Sequence, residues 1–123
     1  MEFSNPKPIY QQIADFILEM IISGKWLAGE RIPSVREMAA EVEVNPNTVA
    51  RTYNYLSETE IIYNKRGIGY FLSADAPAKA KAYERWKFIN EELPKILDTM
   101  HLLDISKEKF NKLYLNHKEN EKK

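Results

Sequence analysis

Apolar residues recur at intervals of three and four along most of this chain, and one short stretch alternates instead. Over residues 8–23, Ile9, Ile13, Phe16, Ile17, Met20 and Ile21 fall on one stripe, the pattern of an amphipathic helix with one buried side. Pro8 suits its first turn and Gly24 the position just past its end. The period breaks over residues 25–33, a turn region with Gly29 and a short extended piece at Arg31-Ile32. It returns over residues 33–56 as two helices. Ser34, with Glu37 three residues later, reads as a capping box, and Met38, Ala39 and Val42 then share one face. Glu43 and Val44 make a turn. Asn45 before Pro46 is a second start signal, because Asn caps and Pro fits the first helical position. Val49, Thr52, Tyr53 and Leu56 form the buried stripe of this second helix.

After Glu60 the period changes. Ile61-Ile62-Tyr63-Asn64-Lys65 and Ile68-Gly69-Tyr70-Phe71-Leu72 flank Arg66-Gly67, which predicts a two-stranded hairpin with a glycine at its tip. Residues 74–79, with Pro77, read as a linker. Beyond it Tyr83, Trp86, Ile89, Leu93, Ile96, Leu97, Met100 and Leu103 recur at helical spacing, and Pro94 should kink that helix or mark a second start after Asn90. Asp104-Ile105-Ser106 caps a last helix with Phe110, Leu113 and Tyr114 on one side. Residues 116–123 are charged and expected to fray.

The expected fold is therefore mainly α with a small β wing: a winged helix-turn-helix over residues 1–76 and a short two-helix dimerisation tail over 77–123. In a helix-turn-helix the second helix enters the major groove and its N-terminal residues meet base edges. Here the face opposite the buried stripe carries Asn47, Thr48, Arg51, Asn54 and Tyr55, groups able to bond bases or phosphates; by itself such a face could also be merely solvated. Lys65 and Arg66 at the hairpin tip stand where a wing would meet the phosphate backbone or the minor groove.

Charge complicates the picture. The whole chain is neutral, with 18 Lys/Arg and 18 Asp/Glu. Residues 1–76 hold seven basic and ten acidic residues, a net −3, and the tail is net +3. Since DNA affinity leans on phosphate neutralisation, an acidic first part weighs against DNA. The cations Arg36, Arg51, Lys65 and Arg66 nevertheless sit in the elements that would face a duplex, while Asp15, Glu19, Glu58 and Glu60 lie elsewhere. Modest affinity per copy, raised by dimerisation, is the expectation.

Catalytic chemistry fails on inventory. Cysteine is absent, so there is no thiolate nucleophile and no Cys-based zinc site. His101 and His117 are sixteen apart with no Cys or paired carboxylate at ligand or triad spacing. Glu91-Glu92 reads as a solvated helix face. Arg66-Gly67-Ile68-Gly69 sits in a hairpin rather than between a strand and a helix, so it is no phosphate loop. No metal, cofactor or catalytic residue is assigned. The N-terminal residues lack an apolar signal core and no run approaches a membrane span, so a cytoplasmic location with no membrane partner is expected.

Several fragments, in order across residues 8–73, carry a resemblance: Ile9-Tyr10-Gln11-Gln12-Ile13, the stretch from Gly24 to Gly29, Pro33-Ser34-Val35-Arg36, Val44-Asn45-Pro46-Asn47-Thr48-Val49 and Arg66-Gly67-Ile68-Gly69-Tyr70-Phe71. The chain resembles the GntR family of bacterial transcription regulators, in its small YtrA-like branch. The resemblance implies a DNA contact from Arg36 at the start of the second helix, recognition-helix roles for Asn45, Asn47, Thr48 and Arg51, and a minor-groove wing at Lys65, Arg66 and Gly67. Many members have Arg where this chain has Pro46 or Asn47, so a guanine contact is in doubt, whereas Asn47 suits the N6 and N7 edge of adenine. The resemblance also implies a dimerising tail, here assigned to Trp86, Leu93, Leu97 and Met100, and genes of this type often neighbour transporter genes. At roughly 45 residues the tail looks too small to enclose a metabolite; any small-molecule effector is unknown.

Two readings stay open. One is a DNA-binding transcriptional regulator, a repressor acting as a homodimer on a palindromic operator. The other is a winged helix used for protein–protein assembly, which the zero net charge supports. For the tail, pairing with a second copy competes with folding back on its own core.

Overall fold

The computed structural model describes residues 7–121. In chain order these form α1 (Ile9–Ile22), α2 (Val35–Val42), α3 (Pro46–Glu58), β1 (Ile62–Lys65), β2 (Gly69–Leu72), α4 (Ala76–Lys87), a π-helical stretch (Phe88–Glu92), α5 (Leu93–Leu102) and α6 (Lys107–Glu121). The chain divides into two compact units, one ending at Glu84 and the other beginning at Arg85.

The first unit owes its shape to its caps and its core. Ser34 accepts from the Glu37 N–H at 3.1 Å while the Glu37 carboxylate accepts from the Ser34 N–H at 3.1 Å, the reciprocal capping box that starts α2. Glu43, left-handed at φ 56°, ends it, and the following Val44 N–H turns back to the Ala39 carbonyl. Asn45 then caps α3 by accepting from the Asn47 N–H at 2.8 Å, with Pro46 in the first turn. Val49, Thr52, Tyr53 and Leu56 all face inward, as their spacing predicts. The Thr52 hydroxyl donates to the Tyr10 carbonyl at 2.9 Å and ties α3 to α1. The Tyr53 hydroxyl donates to the Pro33 carbonyl at 2.7 Å, and its ring meets Tyr70 edge-on at 4.9 Å. Burial pushes the Tyr53 phenol well above its ordinary pKa.

The α1 stripe lies one residue further round than its spacing suggested. Ile13, Ala14, Ile17, Leu18 and Ile21 are buried, whereas Ile9 and Phe16 keep 39% and 38% of their surface and Met20 is half-buried. The small Ala14 admits a neighbouring element closely, and Ile9 and Phe16 are left lining a shallow apolar groove with Val42 and Val44.

Strands β1 and β2 pair antiparallel with Lys65 opposite Gly69 and Tyr63 opposite Phe71. The Ile68 N–H closes the turn on the Lys65 carbonyl at 2.9 Å, and Gly67 at φ +81° takes the left-handed position there. The extended piece at Arg31-Ile32 borders the other edge of β2 through the Ile32 N–H to Tyr70 carbonyl and Leu72 N–H to Glu30 carbonyl bonds, both 2.9 Å, with one bridge between Arg31 and Phe71.

The linker expected over residues 74–79 is mostly helix. Helix α4 begins at Ala76, with Pro77 in its first turn, and Ala76 and Ala80 are fully buried in the core of the first unit. Proline is tolerated that early, and two methyl side chains let the helix approach closely.

In the second unit Pro94 leaves its mark one turn upstream. Lacking an N–H, it removes a helical bond, and the backbone widens so that the Leu93 N–H reaches five residues back to the Phe88 carbonyl. The Asn90 amide donates to the Trp86 carbonyl at 2.9 Å. Asp104, left-handed, ends α5, the Ile105 N–H returns to the Met100 carbonyl at 2.9 Å, and Ser106 caps α6 by accepting from the Lys109 N–H at 3.1 Å. Helix α6 runs on through Glu121, so the fraying expected from 116 is not seen up to that residue; 122 and 123 lie outside the described residues. No residue from Arg85 to Asn120 is buried.

Candidate nucleic-acid interface

The buried stripe of α3 dictates what the helix leaves outside. With Val49, Tyr53 and Leu56 turned inward, Asn47, Arg51 and Asn54 follow one another at helical spacing on the solvent side, all exposed. No hydrogen bond to another described residue engages the Asn47 side chain, so both ends of its amide are open. Asn45 differs: its carbonyl oxygen is committed to the cap, which leaves its amide N–H groups to offer. Thr48 is half-buried beside this face, and its carbonyl accepts from the Thr52 hydroxyl at 3.2 Å. Arg51 is held rather than free, its guanidinium lying 4.0 Å from the centroid of the Tyr10 ring on α1. Such stacking restricts a long side chain while its N–H fork stays accessible.

Arg36 is exposed in the first turn of α2, and Lys65, Arg66 and Gly67 are exposed at the hairpin tip. Ion pairs form elsewhere in this unit, as Lys7–Asp15 at 3.1 Å and Lys79 with Glu60 and Asp75 at 3.3 Å. Among the described residues none engages Arg36, Arg51, Lys65 or Arg66. Lys65 also sits 4.9 Å from the Phe71 ring centroid, and Phe71 stacks on Tyr63 at 5.8 Å, so the tip is carried on an aromatic pair.

One residue of the polar face belongs elsewhere. Tyr55 turns toward α4, where its hydroxyl donates to that of Tyr83 at 2.6 Å; Tyr83 is accordingly packed against the first core rather than being part of a free tail stripe. Two others were missed as site residues. Asn64, on the strand face that alternation turns toward the helix, lines with Asn54 and Ser57 a solvent-open hollow of about 420 Å³ between α3 and the hairpin. Arg31, exposed at the edge of β2, presses against Gly69. The period-two alternation marked Asn64; nothing in the local pattern marked Arg31, because its neighbour is thirty-eight residues away.

In the second unit, Leu97 and Met100 come together with Ile105 and Phe110 around an almost wholly apolar crevice of about 240 Å³ at the α5–α6 joint. Trp86 is 58% exposed and Leu93 half-buried, and neither lines that crevice.

A model of the bacterial regulatory proteins of the gntR family matches residues 9–72, the span from the first residue of α1 to the last of β2. This chain belongs to the GntR family. Within it the likeness runs to the small YtrA-like members. The HTH-type transcriptional repressor YtrA of Bacillus subtilis is 34% identical over 85% of this chain and 79% of its own length. The HTH-type transcriptional regulator YhcF of the same organism is 37% identical over 87% of each chain. A solved GntR-family regulator from Bacteroides thetaiotaomicron superposes with a TM-score of 0.78 at 38% identity, covering 93% of this chain and 99% of that one. The likeness thus includes the tail as well as the winged helix. As a GntR protein the chain is a DNA-binding transcription regulator and not an enzyme. No helix among the described residues is long and apolar enough to cross a membrane.

Proposed function

We propose that this GntR-family chain is a repressor that binds a palindromic operator as a homodimer. In this reading Asn45, Asn47, Thr48 and Arg51 address the major groove, Arg36 the adjoining backbone, and Lys65, Arg66 and Gly67 the minor groove. Residues 1–76 supply the DNA contacts, and the tail over 77–123 brings two copies together through Trp86, Leu93, Leu97 and Met100. The observation that carries it is the set of unpaired cations. Four basic side chains in α2, α3 and the hairpin stand free of ion pairs among the described residues, in a part of the chain where acids outnumber bases, and an assembly surface gains nothing from leaving them so. The dimer is supported by a second unit in which no described residue is buried while Trp86, Phe88, Leu102, Leu103, Leu113 and Tyr114 are exposed. Repression follows the name of the Bacillus subtilis relative, and transporter genes are the targets that the YtrA-like resemblance suggests.

Zero net charge favours the alternative, a winged helix that assembles with proteins and leaves its polar face idle. Titrating the intact protein into a fluorescent duplex of mixed sequence at low salt separates the two. Binding that weakens steeply as salt rises is expected. Absence of binding at low salt would favour assembly.

A further inference from the structure

The outer face of the hairpin carries a second basic feature, away from the recognition helix. Arg31 bridges Phe71 across the edge of β2, so its side chain leaves the same face as Phe71 and the alternate residues Gly69, Lys65 and Tyr63. There it lies flat on the strand. A Cβ built on Gly69 would stand 2.9 Å from the Arg31 Nε and 3.5 Å from Nη2. Gly69 also has φ +139°, which favours glycine there, and a Cβ at that position would push the Arg31 side chain aside. Lys65 is the cross-strand partner of Gly69. Its Nζ lies 4.9 Å from the Phe71 ring centroid, so Arg31 over Gly69 and Lys65 over Phe71 share one face of the hairpin, and among the described residues neither is in an ion pair.

Glu37 feels the charge of Arg31, but its carboxylate accepts from the Ser34 N–H at the start of α2. Like charges on one face repel, and an anion lying between them would relieve that repulsion. A duplex passing the wing supplies anions at regular spacing.

The geometry points to Arg31 and Lys65 as a phosphate clamp across Gly69, a DNA-backbone contact on the flank of the wing. It rests on the DNA-binding reading above and adds to it Arg31, which belongs to neither the helix-turn-helix nor the wing tip. The guanidinium takes one phosphate through its fork, prepositioned by the strand beneath it, and Lys65 contributes a point charge. Being a backbone contact, it fixes register and adds affinity without reading sequence.

The test uses the intact protein and two duplexes, one enriched for binding and one unrelated, titrated by fluorescence anisotropy over a range of potassium chloride concentrations. Arg31→Met should lower the slope of log affinity against log salt by about one per bound copy on both duplexes, leaving the ratio between them unchanged. Arg31→Lys should keep the wild-type slope. Gly69→Ala, which displaces the guanidinium, should weaken binding in the wild-type background and have a much smaller effect on Arg31→Met. A wild-type slope in Arg31→Met overturns the clamp, as does an equal loss in Arg31→Lys, which would assign Arg31 to packing. Inorganic phosphate at matched ionic strength should not compete; specific displacement by it would place a free-anion site here instead. If the wild-type protein binds neither duplex, it is the DNA-binding reading that fails.

Discussion

Arg51, the proposed groove contact, is held in place before any partner arrives. A lone arginine on a solvent face loses rotamer freedom when it binds, which costs on the order of 2 kcal/mol. Here the Tyr10 ring at 4.0 Å already holds the guanidinium, so part of that cost is met in the free protein. Arg51→Ala should weaken specific binding by about 1–3 kcal/mol. Tyr10→Leu should shift affinity in the same direction by a smaller amount, and by almost nothing in the Arg51→Ala background. Anisotropy titrations of the four proteins check this; unchanged affinity in Arg51→Ala would show that the residue turns away from the duplex. Tyr53 makes the opposite kind of contribution, buried and structural. Removing its hydroxyl strands the Pro33 carbonyl, and Tyr53→Phe should lower unfolding free energy by about 1 kcal/mol in urea titrations while leaving the contact face of α3 intact.

Among the elements, α2 is set by its cap. The hydrogen bond from the Ser34 N–H to the Glu37 carboxylate, with a smaller contribution from the Ser34 side chain, holds the carboxyl below its ordinary value of 4.5. A lowered folded pKa means the charged form is the stabilising one. Its contribution is complete above that ordinary value and fades as pH falls through the lower folded value. The gap in thermal midpoint between the wild type and Glu37→Ala should therefore be steady near neutrality and narrow as the solution is acidified below about pH 4.5. A gap that stays constant to acid pH would show that charge plays no part in the cap.

The elements also show which features of this fold are written locally. Caps, turns and the α3 stripe depend on residues three or four apart, and Ser34, Asn45, Gly67 and the run from Val49 to Leu56 all behave as their spacing requires. Where the structure departs from the pattern, the deciding contact comes from far along the chain. The α1 face rotates past Phe16 toward Ala14 and Leu18 because of what packs on it. Residues 76–80 are helical because Ala76 and Ala80 fit a core built by α3 and the strands. Tyr55 is drawn off the polar face by Tyr83, and Arg31 finds Gly69 across the sheet edge. The sequence marks Arg36, Arg51, Lys65 and Arg66 as surface charges; that no ion pair engages them among the described residues is a property of the folded chain alone.

At the scale of the whole molecule, the two units differ in how they meet water. The first has a closed core; the second exposes its apolar residues, a distribution expected of a surface that another chain covers. Pairing of two copies doubles the number of phosphate and base contacts per complex, which answers the weak electrostatics of a neutral monomer. Leu93→Glu should move the protein toward monomer in sedimentation velocity, with a matching loss of operator affinity; an intact dimer would take Leu93 out of the seam. Whether the protein is a two-fold regulator reading a specific site is decided by selection from a random duplex pool with the purified intact protein. Enrichment of an inverted repeat whose half-site spacing reports the dimer is expected. Enrichment of nothing at low salt, where phosphate contacts are strongest, would overturn the two-fold regulator.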